Sequence, residues 1–279
     1  MIYEKYEKHW KILLWIPIAL LVLSVVIIVF NIASTGSFMK KDVELTGGKS
    51  LTFEVGLYDL DAIKLEIPYA TVRVTSGVVK NMIVDMPIEA NESLAISVVS
   101  RHADVHGTPT LRTIGPSIGN VFFQQAQLAL VLAFIFMAAT VFILYRSLIP
   151  SSIVVLAAAT DILVTIGVLI VLDVSLSLPV LAALITLIGY SVDTDLVLTS
   201  ELLKAQHHEI SEGIKRAMKT GLTLTMTILV ALVSMYLISG SIVIEQISFV
   251  LLIGLIVDMP ATWFGNTGVL RAWLERRKK

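Results

Sequence analysis

The 279-residue chain contains no cysteine, and only 15% of its residues are charged. The missing cysteines exclude disulfides, thiolate metal sites and cysteine nucleophiles. Low charge excludes an ordinary soluble enzyme and a disordered chain, since an average soluble domain is about 25% charged. A basic excess is also lacking: 21 Lys and Arg stand against 22 Asp and Glu, a formal net charge of -1. Nucleic-acid binding, which needs such an excess, is therefore excluded. What the chain does contain is apolar. The apolar fraction is 56% and the mean hydropathy +0.85, the composition of an integral membrane protein in contact with lipid.

Crossing the hydrocarbon as a helix takes roughly 20 apolar residues. Residues 12–39 carry no charge, and their apolar part ends near Ala33. That stretch is too long for a signal-peptide core and lacks a small-residue cleavage site, so it reads as a retained anchor. Five further spans follow, at about 121–145, 148–172, 177–200, 220–240 and 246–267. The expected fold is an α-helical integral membrane protein with six transmembrane helices. A small extracytoplasmic α+β domain is expected between helices one and two. The expected divisions are 1–33 for the N-terminus and helix one, 34–113 for the inserted domain, 114–270 for a five-helix block and 271–279 for a basic tail.

The basic residues give the orientation. With the N-terminus in the cytoplasm, that side holds Lys5, Lys8, Lys11, Arg146, Lys204, Lys215, Arg216, Lys219, Arg271, Arg276, Arg277, Lys278 and Lys279. The short outer loops near Asp173 and 240–245 hold none. The other eight basic residues lie in the inserted domain, and a large domain crosses largely regardless of charge. Both termini are thus expected in the cytoplasm and the chain in the cell membrane as a multi-pass protein.

Within the inserted domain, 43–55 reads as a strand bent at Gly47 and Gly48, and 59–67 as a helix. Strands are expected at 70–75, 78–85 and 94–100, giving the order β-α-β-β-β. Gly48, Lys49 and Ser50 resemble the end of a phosphate loop, but Val43 stands where that loop needs glycine, and a strand follows rather than a helix. His102, Asp104 and His106 alternate along an extended segment; a solvated polar loop accounts for them, and no metal is assigned. Asn91, Glu92 and Ser93 form a glycosylation sequon, a pattern that chance often produces.

Four carboxylates fall inside the spans: Asp161 in helix three, Asp193 and Asp195 in helix four, and Asp258 in helix six. A charge at the bilayer centre costs at least ~2.5–3.5 kcal/mol, so such groups face protein or water and mark functional sites. The plainer alternative is a carboxylate that bonds a neighbouring hydroxyl or caps a helix. Asp193 and Asp195, two apart, point about 200° apart on a helix and cannot share a face. Thr186, Gly189 and Asp193 form a small, polar stripe, and Lys219, Thr223, Thr227, Ala231 and Ser234 a second one on helix five. Helices four and five are expected to pack through these stripes. Between them, Leu203, Ile210, Ile214 and Met218 recur among His207, His208, Glu209, Glu212, Lys215 and Arg216, as in an amphipathic interfacial helix.

Three short sequences add a family resemblance. LTGG at 45–48, IGPSIG at 114–119 and IGYS at 188–191 sit after helix one, before helix two and within helix four. In that order they resemble SecF, the smaller subunit of the SecD–SecF protein-export accessory, and most of all its archaeal branch. This family belongs to the resistance-nodulation-division (RND) superfamily of transporters, whose half-unit has one helix, an outside domain and five more helices. The resemblance implies a non-enzymatic subunit without cofactor. Its implied partners are SecD, the Sec translocon channel, exported polypeptide chains and membrane lipid, and its implied task is to use the proton gradient to help exported polypeptide outward. Bacterial members carry Gly-Tyr-Ser, an apolar residue and then Asn-Asp. Here Gly189, Tyr190, Ser191 and Val192 are followed by Asp193, Thr194 and Asp195, so the carboxylate falls one place to either side. The resemblance further implies proton coupling at Asp161 and a basic partner at Lys219, with Asp258 a further candidate that has no assignable bacterial counterpart. Gly47, Gly48, Gly115, Pro116 and Gly119 are implied to shape the domain and its hinge.

Three other readings compete. One is a small-molecule or lipid exporter half-unit of the same superfamily, for which an outside domain of about 80 residues is small. Another is an intramembrane aspartyl protease, whose Gly-x-Gly-Asp element is missing at all four Asp residues. A purely structural scaffold for the channel is a third.

Overall fold

The computed structural model of the chain describes residues 9–75, 77, 79–205 and 210–277. Its helices are mostly long and apolar, and six of them are long and apolar enough to cross a membrane. The first, α1, runs Trp15–Thr35 and ends on Gly36, whose left-handed φ of 70° lets its N–H close back onto Ile32. A single helical turn, α2 (Val43–Thr46), follows, and then the small sheet.

The sheet is built from β1 (Gly48–Tyr58), β2 (Thr71–Val74), β3 (Asn81–Met86) and β4 (Ala103–Ile114), with α3 (Leu60–Glu66) and α4 (Glu92–His102) between them. Neighbouring strands run antiparallel in the order β2-β3-β1-β4. The chain order β-α-β-β-α-β with this strand order is the ferredoxin-like split βαβ arrangement. Alternation explains its core. Leu51, Phe53 and Val55 of β1 and Met82, Val84 and Met86 of β3 turn to one face, where Ile63, Ile67, Ala95, Val98 and Val99 cover them.

Several local expectations are corrected. Residues 43–46 are helical because Asp42 caps them, its Oδ1 accepting the Val43 N–H at 2.6 Å. Residues 94–100 belong to α4, not a strand, since Asn91 Oδ1 accepts the Ser93 and Leu94 N–H groups at its start. The polar segment after His102 is a strand, β4, not a loop. It lies at the sheet edge with both faces largely exposed, so no apolar alternation announces it. His102 bonds Glu66 Oε1 at 2.7 Å instead of joining Asp104 and His106.

The second spanning helix, α5, covers Pro116–Tyr145, five residues longer at its start than expected because Pro116 occupies the first turn. Then come α6 (Leu148–Val171), α7 (Leu178–Lys204), α8 (Ile210–Ile238) and α9 (Ile242–Pro260). A π-helical turn at Ala261–Asn266 continues α9 into α10 (Thr267–Arg277), so part of the expected basic tail is helix. The expected interfacial helix is instead the first turns of α8. Ile214, Ala217 and Met218 there bury against Leu198, Leu202 and Trp263, while His207, His208 and Glu209 lie outside the described residues.

Glycine notches set the helix contacts, as expected where small residues let membrane helices approach. A Cβ on Gly254 would sit 2.4 Å from Leu187, one on Gly221 2.5 Å from Trp263, and one on Gly167 2.7 Å from Ser24. The expected packing of α7 on α8 through their polar stripes is not what occurs. Thr186, Gly189 and Asp193 are exposed, as are Lys219, Thr223, Thr227, Ala231 and Ser234. The larger apolar side chains of the opposite faces bury more surface against each other, so α7 and α8 meet through Leu198, Leu202, Ile214 and Met218.

Candidate functional site

The third, fourth and sixth spanning helices bring three carboxyl groups together in the block. Asp161 of α6 is fully buried, and Asp195 of α7 and Asp258 of α9 are each 1% exposed. Hydroxyl and amide groups join them. Ser191 Oγ donates to Asp161 Oδ2 at 2.5 Å. Thr194 Oγ1 lies 2.8 Å from the Ser191 carbonyl and 3.2 Å from Asp258 Oδ2. Thr262 Oγ1 stands 3.1 Å from Asp258 Oδ1 and 3.1 Å from Asp195 Oδ1. Asn266 Nδ2 donates to Asp195 Oδ1 at 2.6 Å.

Two features of this network bear on its chemistry. Thr262 has one hydroxyl hydrogen and two carboxylate oxygens at equal distance, so its bond can change partner without any helix moving. Asp161 Oδ1 and Asp195 Oδ2, both buried, have no hydrogen-bond partner in this network. Most buried polar groups in proteins find a partner; buried hydroxyls of Thr165, Thr225 and Ser248 in this chain share the same condition.

The backbone is irregular at the same place. Asp258 lies in the last turn of α9, which ends at Pro260, and the π-helical turn that follows carries Thr262 and Asn266. Proline removes a backbone donor, and π-turns inside helices recur at functional sites. Thr194, Thr262 and Asn266 escaped the reading of the sequence. Their signal was present in the spacing 258, 262, 266, which repeats a polar residue every fourth position through an apolar span.

The other candidates lie apart from this network. Asp193 and Lys219 are exposed on the outside of the block, so the structure separates Asp193 from Asp195. Gly189 has no atom near its Cβ position, whereas Ser191 is fully buried in the network. The two outer glycine motifs touch each other. A Cβ on Gly47 would lie 2.5 Å from Pro116, and one on Gly119 2.7 Å from the Gly47 nitrogen. Gly47 itself has φ 81°, so glycine is required there twice over. Gly48 has φ 153° and a Cβ there would meet the Met86 carbonyl, while Gly115 caps the start of α5 in open space.

Comparison with known proteins gives the family. Residues 97–276 match the family model described as protein export membrane protein SecD/SecF, C-terminal. The chain is 34% identical over 280 residues to the protein-export membrane protein SecF of Pyrococcus furiosus, covering 98% of this chain and 94% of the relative. It is 35% identical over 282 residues to SecF of Methanolacinia petrolearia, covering 99% and 97%. Among solved structures it resembles SecDF of Thermus thermophilus, a translocon-associated membrane protein, with a TM-score of 0.73 at 16% identity. That likeness covers 97% of this chain and 38% of SecDF, so the chain spans well under half of that protein.

Proposed function

Because this chain belongs to the SecD/SecF family of protein-export membrane proteins, we propose that it is a proton-driven accessory subunit of Sec protein export, acting as one half-unit beside SecD. The export role is common to its relatives by name. Proton coupling rests on one observation: Asp161, Asp195 and Asp258 form a buried chain of carboxyl groups linked by Ser191, Thr194 and Thr262. Carboxyl groups in a low-dielectric core change charge in response to neighbours and field, and each change alters which hydroxyl bonds form. The irregular turn after Pro260 is the element such a change would move.

The half-unit reading rests on the outer face. Asp193 and Lys219 are exposed at the flanks of spanning helices, and an ionisable group at membrane depth needs protein or water around it. The small and hydroxyl residues beside them suit a second helical block. Transporters with paired repeats place the working site between halves, and SecD is the half we assign there. In this reading the sheet domain, residues 34–113, lies outside the membrane, the five-helix block spans 114–270, and both termini are cytoplasmic.

The test is export into sealed vesicles carrying this chain, SecD and the Sec channel under an imposed proton gradient. Replacing Asp161, Asp195 and Asp258 by Asn, singly and together, is expected to remove the stimulation by the gradient while leaving channel-dependent export. Full stimulation in the triple variant would leave only a scaffold role. Recovery of the chain free of SecD from its native membrane in mild detergent would defeat the half-unit reading.

A further inference from the structure

A second cluster of charged groups lies where the sheet meets the helical block. A cavity of about 260 Å³ opens there, lined by Asp42, Glu44, Arg73, Asp85, Arg112 and Gln246 among others. Arg73 of β2 bonds Asp42 Oδ2 at 2.9 Å through Nη2, and the same nitrogen bonds Asp85 of β3. Asp42 and Asp85 are both buried. Asp42 belongs to the connection from α1, and its N–H donates to the Leu176 carbonyl at 2.8 Å, while the Leu176 N–H donates to the Lys40 carbonyl at 2.7 Å. Two residues on, Glu44 Oε2 accepts the N–H of Leu178, the first residue of α7, at 3.1 Å. The sheet is thus fastened by the Arg73–Asp42 ionic bond to a connection that itself caps the helix bearing Asp193 and Asp195.

We propose that Asp42, Arg73, Asp85 and Glu44 form a proton-operated latch that docks the four-stranded domain onto the start of α7, with Glu44 as the residue that positions that helix. The charge count gives the direction. With all groups ionised, Asp42, Glu44 and Asp85 oppose only Arg73 and Arg112 in the cavity, one negative charge in excess. Across the adjoining cavity, Asp173 and Glu245 of the helical block add further negative charge near Arg73, Asp173 being paired with Lys40 at 2.5 Å. One proton on the cluster balances the cavity.

Burial, and next the neighbouring Asp42, push the Asp85 carboxyl up to about 6 against the pull of Arg73. Burial also raises Glu44, opposed by its bond to the Leu178 N–H. Both causes depend on the docked arrangement, so the docked state binds the proton more tightly than the undocked one. Docking therefore strengthens as pH falls from about 6 towards 3.8, and above about 6, where the carboxyl is ionised in both states, this contribution is absent. From an ordinary value of 3.8 to about 6, the docked-to-undocked ratio can change up to roughly 100-fold, since each pH unit between the two states is a tenfold factor. The latch depends on neither SecD nor the export role.

The cysteine-free chain allows a direct test. Spin labels at Leu57→Cys on the domain and Ile238→Cys at the end of α8, both strongly exposed, report the distance between the two bodies in lipid nanodiscs. The distance distribution is expected to narrow to the docked value as pH falls from 8 to 4, with the change lying between about 6 and 3.8. Asp85→Asn, uncharged at every pH, is expected to hold the docked distance at pH 8, and Arg73→Gln to loosen it throughout. One distribution at both pH values in the unmodified background overturns the latch. So does a transition that Asp85→Asn leaves in place. Should Asp85→Asn not fold, Glu44→Gln, which removes one negative charge but keeps an oxygen for the Leu178 N–H, replaces it: docking retained at pH 8 supports the latch, and an unshifted transition overturns it.

Discussion

Thr262 sits between two acceptors, which makes the buried network redundant in a measurable way. Its hydroxyl lies 3.1 Å from Asp195 Oδ1 and 3.1 Å from Asp258 Oδ1. Removing either carboxyl leaves it the other; removing both leaves it none. Thr194 is insulated from the change because it retains the Ser191 carbonyl at 2.8 Å. A buried hydroxyl without a partner costs about 1–3 kcal/mol. The double variant Asp195→Ala with Asp258→Ala is therefore expected to be less stable than the sum of its single variants by about that amount. Repulsion between the two carboxylates would give a coupling of the same sign, since either single change already relieves it. A second cycle with Asn separates the two: Asn removes the charge but keeps a carbonyl oxygen as acceptor. The assay is reversible unfolding in mixed micelles. The alanine cycle is expected to exceed the asparagine cycle by about 1–3 kcal/mol. Equal couplings in the two cycles, within about 0.5 kcal/mol, would refute the shared-acceptor geometry.

Three further outcomes follow from the packing and the orientation. Gly221→Ala must displace the Trp263 ring, 2.5 Å from the added carbon, and is expected to lower the unfolding free energy by about 1–3 kcal/mol in the same micelles. Gly189→Leu points into open space, so it is expected to leave the unfolding midpoint of the lone chain unchanged while reducing its recovery with SecD. In intact cells an impermeant maleimide is expected to label Leu57→Cys but to reach Lys204→Cys only after lysis, and the reverse pattern would invert the topology.

The charge map was sufficient for the six spans because an 18-residue apolar run has no competing interpretation in so uncharged a chain. Span ends were less legible. Residues 210–219 carry enough charge to pass for an interfacial helix, yet Ile214, Ala217 and Met218 have a buried partner in Trp263, which lies some fifty residues away in sequence. The sheet domain was legible where one face is buried, as in β1 and β3, and illegible at β4, an edge strand with both faces wet. Residues 94–100 failed for a different reason. Val98 and Val99 favour a strand locally, but capping at Asn91 and burial of Ala95, Val98 and Val99 on the sheet favour the helix.

The candidate site was legible one residue at a time. The spacing of two between Asp193 and Asp195 separates them by about 200°, and they face opposite ways: Asp195 into the network, Asp193 outward. No pattern in the sequence joins Asp161 to Ser191, thirty residues on, or Asp195 to Asn266, because those bonds exist only once three helices close on one another.

This division gives α7 a double character. Its inner face holds Ser191, Thr194 and Asp195 in the network, and its outer face carries Thr186, Gly189 and Asp193. A rigid helix that presents one carboxyl group to each side transmits a change on either side as rotation or shift, since its side chains cannot reorganise independently of its backbone. Its outer end is held by Glu44 at Leu178. On the proposed reading, a proton arriving at the network, the partner half-unit and the latch under the sheet act on the same rod from three directions. Coupling among them then needs no long pathway of side chains: each biases the position of one helix, and that position is what the others sense.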